Sequence, residues 1–155
     1  TMTNFTEIAS RDRVAFIQAC WHRDIVDVLR DSFKEEFAKL SDKQIDFYEV
    51  PGAYEIPLHC KALAATGKYA AVVAGGLVVD GGIYRHDFVG RTVIDGLMQA
   101  QMETGMPVFS AVLTPHHFHG NDEHVNFFKA HFVKKGKEAA HACAETLTSL
   151  VAMGS

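Results

Sequence analysis

Ten consecutive residues, Ala70–Val79 (AAVVAGGLVV), carry no charged or hydrogen-bonding side chain. The run is too short to cross a membrane as a helix, which takes about 20 apolar residues. It is rich in valine and is followed by Gly81-Gly82. Such a segment predicts a strand covered on both faces, as in a parallel sheet with helices above and below. A chain built round it must bring its neighbouring strands in through crossovers rather than tight hairpins.

The flanking sequence supplies those crossovers. Arg13–Cys20 (RVAFIQAC) reads as a buried strand. Asp24 is expected to cap a helix in which Ile25, Val28, Leu29, Ser32, Phe33, Phe37 and Leu40 recur at helical spacing. Ile45–Val50 alternates as a second strand and stops at Pro51-Gly52. Pro57 suits the first turn of the next helix and Gly67 its end. After the apolar run a helix is expected from about Arg85 to Glu103. It carries a polar stripe (Asp87, Arg91, Asp95, Gln99, Glu103), expected ion pairs Asp87–Arg91 and Arg91–Asp95, and apolar surface from Phe88, Ile94, Leu97, Met98 and Met102. Val108–Thr114 reads as a fourth strand, and a last helix is expected from about Lys135 to Val151. Four strand–helix units with short connections predict a three-layer α/β/α sandwich on a four-stranded parallel sheet. The 155 residues suit one domain, 1–155, with 1–12 as an N-terminal arm.

The net charge of −4 gives no reason to expect nucleic acid or a membrane surface as partner. The start of the chain lacks the basic-then-apolar order of a secretory signal. Cys20, Cys60 and Cys143 are odd in number and widely spaced, so buried reduced thiols and a cytoplasmic setting are expected. His116, His117, His119, His124 and His131 crowd one stretch, but their spacing fits no zinc motif, and no metal is expected.

In an open parallel sheet, ligands bind beyond the carboxyl ends of the strands. Trp21, the only tryptophan, falls at the first such end, as either a packing residue or a plate for a flat heterocycle. Val50–Pro57 (VPGAYEIP) is a rigid turn into a helix. There Glu55 reads most simply as a helix-start acid, with hydroxyl recognition as the alternative. Val79–His86 (VDGGIYRH) is a glycine-rich strand-to-helix loop with a weak phosphate-binding character.

These segments together resemble the 6,7-dimethyl-8-ribityllumazine synthases of riboflavin biosynthesis. The likeness rests on VPGAYEIP, then Thr66-Gly67-Lys68-Tyr69, Glu103–Val108, Val112-Leu113-Thr114, Lys135-Gly136 and Glu138-Ala139-Ala140. It covers most of the chain from Arg13 onward and is closest to the divergent second type of the enzyme. The resemblance implies a flavodoxin-like topology. It also implies condensation of 5-amino-6-(D-ribitylamino)uracil with 3,4-dihydroxy-2-butanone 4-phosphate, releasing phosphate and water without cofactor or metal. The alternative is a catalytically weak lumazine- or flavin-binding protein that keeps the fold. Homopentamers are implied, with a decamer as the expected larger assembly and each site shared between subunits.

By the same resemblance, Trp21 stacks on the pyrimidine, Gly52, Ala53, Tyr54 and Glu55 form the turn that holds the ribityl chain, and Val78 and Val79 border the ring. Gly82 and Ile83 face the phosphate, Ser110 stands where an aromatic commonly flanks the heterocycle, and Lys135 is the basic residue before the last helix. The family's proton-transfer histidine aligns with Arg85, and His86 falls one place later, about 100° round a helix. Both are candidates for catalysis. The usual phosphate-binding arginine has no clear counterpart. His124, Lys129 and His131 are its possible substitutes, and His131 is included in the expected binding set.

Overall fold

A computed structural model describes residues 4–79, 85–115 and 122–154. Gly82, Ile83, His116, His117 and His119 lie outside the described residues. The chain forms α1 (Phe5–Ala9), β1 (Arg13–Ala19), α2 (Arg23–Leu40), β2 (Gln44–Val50), a short 3-10 turn (Ala53–Glu55), α3 (Ile56–Ala65), β3 (Tyr69–Leu77), α4 (His86–Thr104), β4 (Val108–Leu113) and α5 (Asp122–Met153).

All strand pairs are parallel and the sheet order is β2-β1-β3-β4. The apolar run lies chiefly in β3, and all nine residues of that strand are buried. Side chains alternate across the sheet, as the strand period requires. Ala15, Ile17, Val72 and Ala74 pack with Ile56, Cys60, Val93 and Leu97 on the α3–α4 side. Val14, Phe16, Ala71 and Val73 pack with Leu29, Phe33, Phe132 and Cys143 on the α2–α5 side. This is the expected α/β/α sandwich.

Four local expectations are corrected. First, α5 begins at Asp122, thirteen residues before Lys135, so His131 and Lys135 sit within a helix of 32 residues. Val125, Phe128, Phe132, Ala139, Cys143, Leu147 and Leu150 form its inward stripe. Burying Phe128 and Phe132 contributes about 1.5–3 kcal/mol each. That outweighs the poorer helix propensity of His, Asn and Phe, at most about 0.7 kcal/mol per residue. Second, the expected N-terminal arm contains α1, capped by Asn4, whose Oδ1 accepts from the Glu7 amide at 3.0 Å. Ile8 and Ala9 bury its inner face.

Third, Asp87 pairs with Arg85 at 3.2 Å rather than with Arg91, while Arg91 reaches Asp95 at 3.9 Å. Fourth, Cys60 and Cys143 are buried free thiols, each pushed up to about 12 by burial, but Cys20 is only half-buried and receives Arg23 Nη2 at 3.1 Å.

The two helices of one layer meet at Gly136. A methyl there would lie 2.7 Å from the Leu29 carbonyl oxygen and 2.7 Å from Ser32 Cβ. The Ser32 hydroxyl also donates to the Val133 carbonyl. Gly136→Ala should therefore destabilise the protein by about 1–3 kcal/mol, the usual cost of overpacking. A lower midpoint in chemical denaturation checks this; an unchanged midpoint would mean that α2 and α5 separate without cost.

Candidate active site

A cleft of about 610 Å³ opens at the carboxyl ends of β1 and β3. Trp21 and His22 reach it from the β1–α2 turn, and Tyr54 and Glu55 from the 3-10 turn after β2. Leu77, Val78 and Val79 close one wall as β3 ends, and His86 and Val89 come from the first turn of α4. The lining thus combines an indole, two imidazoles, a phenol and a carboxylate with an aliphatic wall. That composition suits a flat, polar ring bearing hydroxyl groups.

The local sequence explains how the aromatic plate is seated. Gly52 lies against Trp21, and a methyl at Gly52 would stand 2.4 Å from the indole Cζ2. Only a residue without a side chain permits that approach. The turn is closed reciprocally: the Gly52 amide donates to Glu55 Oε2 at 2.9 Å, and the Glu55 amide donates to the Gly52 carbonyl at 3.2 Å. Glu55 is therefore a helix-start acid and a cleft residue at once. Its carboxylate fixes the glycine that seats Trp21. Ala53 is fully buried beneath the turn, while Trp21 keeps 43% of its surface exposed.

Arg85 and His86 separate. Arg85 is the cap residue of α4, with extended backbone (φ −75°, ψ 96°), so its direction is not set by helical rotation from His86. Its guanidinium lies 4.3 Å from the Phe88 ring centre and pairs with Asp87 at 3.2 Å. Hydrogen bonding from Arg85, offset in part by desolvation and aided by its charge, holds the Asp87 carboxyl below its ordinary value. His86, not Arg85, lines the cleft.

Three expected site residues stand apart from this cleft within one chain. Ser110 is exposed on β4, the edge strand, opposite Ala74. His131 stacks on Phe127 with 6.4 Å between ring centres, and Lys135 Nζ binds Glu138 at 3.0 Å. Among the described residues, no group of three His, Cys, Asp or Glu side chains is arranged to hold a metal ion. Sequence reasoning missed His22, Leu77 and Val89 as lining residues. Val89 was detectable one helical turn after His86, and Leu77 as the continuation of the apolar strand.

The profile of the 6,7-dimethyl-8-ribityllumazine synthase family matches residues 11–150. The chain belongs to that family. It is 62% identical to 6,7-dimethyl-8-ribityllumazine synthase of Rhodococcus erythropolis over 143 residues, 91% of this chain and 92% of the relative. It is 60% identical to 6,7-dimethyl-8-ribityllumazine synthase 2 of Pseudomonas syringae pv. tomato over 141 residues, 90% and 83% of the two chains. The synthase 2 of Bradyrhizobium diazoefficiens is 56% identical over 142 residues, 92% and 86%. Lumazine synthases of the second kind are thus among its near relatives, and identity at this level favours catalysis over the binding-only alternative.

Replacing Gly52 tests how this lumazine synthase family member seats its aromatic plate. Gly52→Ala should displace the indole and lower stability by about 1–3 kcal/mol, the usual cost of overpacking. Tryptophan emission and chemical denaturation read the two effects. A wild-type midpoint with an unshifted spectrum would reject the coupling between turn and plate.

Proposed function

We propose that this chain condenses 5-amino-6-(D-ribitylamino)uracil with 3,4-dihydroxy-2-butanone 4-phosphate to 6,7-dimethyl-8-ribityllumazine in the cytoplasm, without metal or cofactor. The supporting observation is the cleft that gathers Trp21, Glu55 and His86 at neighbouring strand ends, in a chain this similar to named synthases. The ring amine and the ketone form an imine and lose water. Phosphate then leaves, and the ribityl-bearing nitrogen closes the second ring with loss of a second water. Nothing in this sequence demands a redox or Lewis-acid partner. Its main requirement is that two reactants be held together, and such positioning is worth up to about 7–11 kcal/mol.

In this reading Trp21 stacks on the pyrimidine, with Val78 and Val79 along its edge. Gly52, Ala53, Tyr54 and Glu55 hold the ribityl chain, and Gly82 and Ile83 serve the phosphate. His86 moves the proton, because it lines the cleft and an imidazole can both accept and donate one. Arg85 instead pairs with Asp87 and lies over the Phe88 ring.

The same reading makes the functional unit a homopentamer, with a decamer as its larger form. Tyr54, Leu58, Met98 and Met102 are 64%, 73%, 57% and 74% exposed on the turn, α3 and α4. Apolar exposure of this kind marks an association surface. A neighbouring copy seated there would bring Ser110, His131 and Lys135 to the cleft of the next chain.

Three measurements test these assignments. Protein mixed with both substrates should form the fluorescent lumazine faster than the substrates alone, and equal rates would defeat the activity. His86→Ala should lower kcat by about 10²-fold with little change in KM, the lower range for lost proton transfer, while Arg85→Ala keeps most of the turnover. The reverse order would exchange their roles. In light scattering after size exclusion, wild type should run as a multiple of five chains, whereas Leu58→Glu with Met98→Glu should give monomers without turnover. Active monomers would exclude a shared site.

A further inference from the structure

The turns that follow β1 and β2 are joined by one guanidinium. Arg23, the first residue of α2, grips Glu49 on β2 with two bonds of 2.6 and 2.8 Å, and its Nη2 also reaches the Cys20 sulfur at 3.1 Å. The end of β1, the end of β2 and the start of α2 therefore meet at a single cation. A backbone bond runs beside it, from the Cys20 amide to the Val50 carbonyl at 3.0 Å. A forked contact between guanidinium and carboxylate fixes orientation as well as distance. Pairing with Arg23, chiefly through the hydrogen bond, holds the Glu49 carboxyl below its ordinary value, so the pair is charged at neutral pH. Side chains alternate along β2, which places Glu49 with Ile45 on the α2–α5 face and Val50 on the other.

The span closed by this contact contains a strained residue. Among the described residues His22 is the one non-glycine residue on a left-handed backbone, with φ 53° and ψ 48°. In this region Cβ crowds the following carbonyl oxygen, and such a conformation persists only where the surroundings over-determine it. Cys20 and Arg23, on either side of Trp21-His22, supply that constraint by meeting each other. Trp21 lies inside the same span with its indole against Gly52, and Gly52 follows Glu49 by three residues. Neither Arg23 nor Glu49 lines the cleft. We propose that Arg23 and Glu49 are positioning residues, a clamp that holds the turn after β1 in fixed register with the turn after β2 and so keeps Trp21 seated on Gly52 as the plate for the pyrimidine. The inference rests on the activity proposed above. One turn further along α2, the buried Gln18 amide donates to Asp27 Oδ1 at 2.8 Å, and Arg30 pairs with Asp27 at 3.2 Å. That second tie anchors α2 to β1 without the clamp, so losing the clamp frees the turn rather than the helix.

Trp21 is the only tryptophan, so its emission reports directly on the plate. The variants are Arg23→Gln, Glu49→Gln and the double replacement, each measured as the assembled full chain. The probe is an unreactive ribitylaminopyrimidine. Each single variant should bind it about fivefold more weakly, within the range for one coupled contact, and acrylamide should quench the indole more readily than in wild type. The double variant should lose no more than either single one, because the two side chains act as a unit. With both substrates, KM for the pyrimidine should rise by the same factor at unchanged kcat, the pattern of lost binding rather than lost chemistry. An exposed ion pair adds little to global stability, so melting temperature and assembly size should match wild type.

Wild-type affinity in the single variants overturns the inference, and a lowered melting temperature beside it makes the pair a structural tie. Losses that multiply in the double variant overturn it as well, since two independent contacts are not a clamp. A changed assembly size overturns it in favour of a subunit contact. Wild type that binds the probe without forming lumazine refutes the activity alone, and affinity and quenching then decide the clamp. Wild type that fails to bind the probe refutes both.

Discussion

A strand buried on both faces offers a ligand nothing but its ends. β3 is buried over its whole length, flanked by parallel β1 and β4, with helices on both sides of the sheet. Its backbone groups are committed to neighbours, and its side chains are committed to two cores. Chemistry is therefore displaced to the turns that follow the strands. Parallel pairing gathers three of those turns at one edge of the sheet. The cleft is a consequence of this architecture: β1 ends in the tryptophan, β2 in the glycine–glutamate turn, and β3 in the aliphatic wall.

Elements with a strong period were legible from the residues alone. The β3 run, the β1 strand and the stripe of Ile25, Leu29, Phe33 and Phe37 each admit one reading. The early start of α5 was hidden because Asp122–Lys134 is dense in histidine and phenylalanine and lacks an obvious cap. Its helical stripe makes sense only against α2, whose Leu29 and Ser32 receive it. The start of α2 was misplaced for a different reason. Asp24 has the right chemistry for a cap, but the cap is His22, two residues earlier, and the Arg23–Glu49 pair ties the first residue of the helix to β2. Such a tie joins residues 26 positions apart and leaves no local signature.

The site was legible to the extent that it depends on residue type at a strand end. Trp21, Tyr54, Glu55, Val78 and Val79 line one cleft, and Gly52 and Ala53 belong to the turn beside it. The relation between Arg85 and His86 was not legible. Counting residues treats both as positions on one helix, where a single step turns the side chain by about 100°. Arg85 is instead extended, and its cation rests on Phe88. The boundary of α4, rather than its period, decides which of the two lines the cleft. Glu55 gives a related lesson. Its structural and ligand-facing roles need not compete, since one carboxylate oxygen can organise the turn while the side chain still lines the cleft.

The exposed side chains of α3 and α4 and the separation of Ser110, His131 and Lys135 from the cleft admit a common physical cause. A lone chain leaves Leu58, Met98 and Met102 in water, where each forfeits the roughly 25 cal/mol per Å² that burial returns. If a second chain covers them, the energy that drives assembly also completes the ligand site. Binding and assembly then become thermodynamically linked. A ligand held by groups from two chains has no equivalent site on the monomer, so it stabilises the assembled form by RT ln(1 + [L]/Kd). Under that linkage a weak apolar contact at the rim of α3 is also a determinant of substrate affinity, even though it touches no substrate atom.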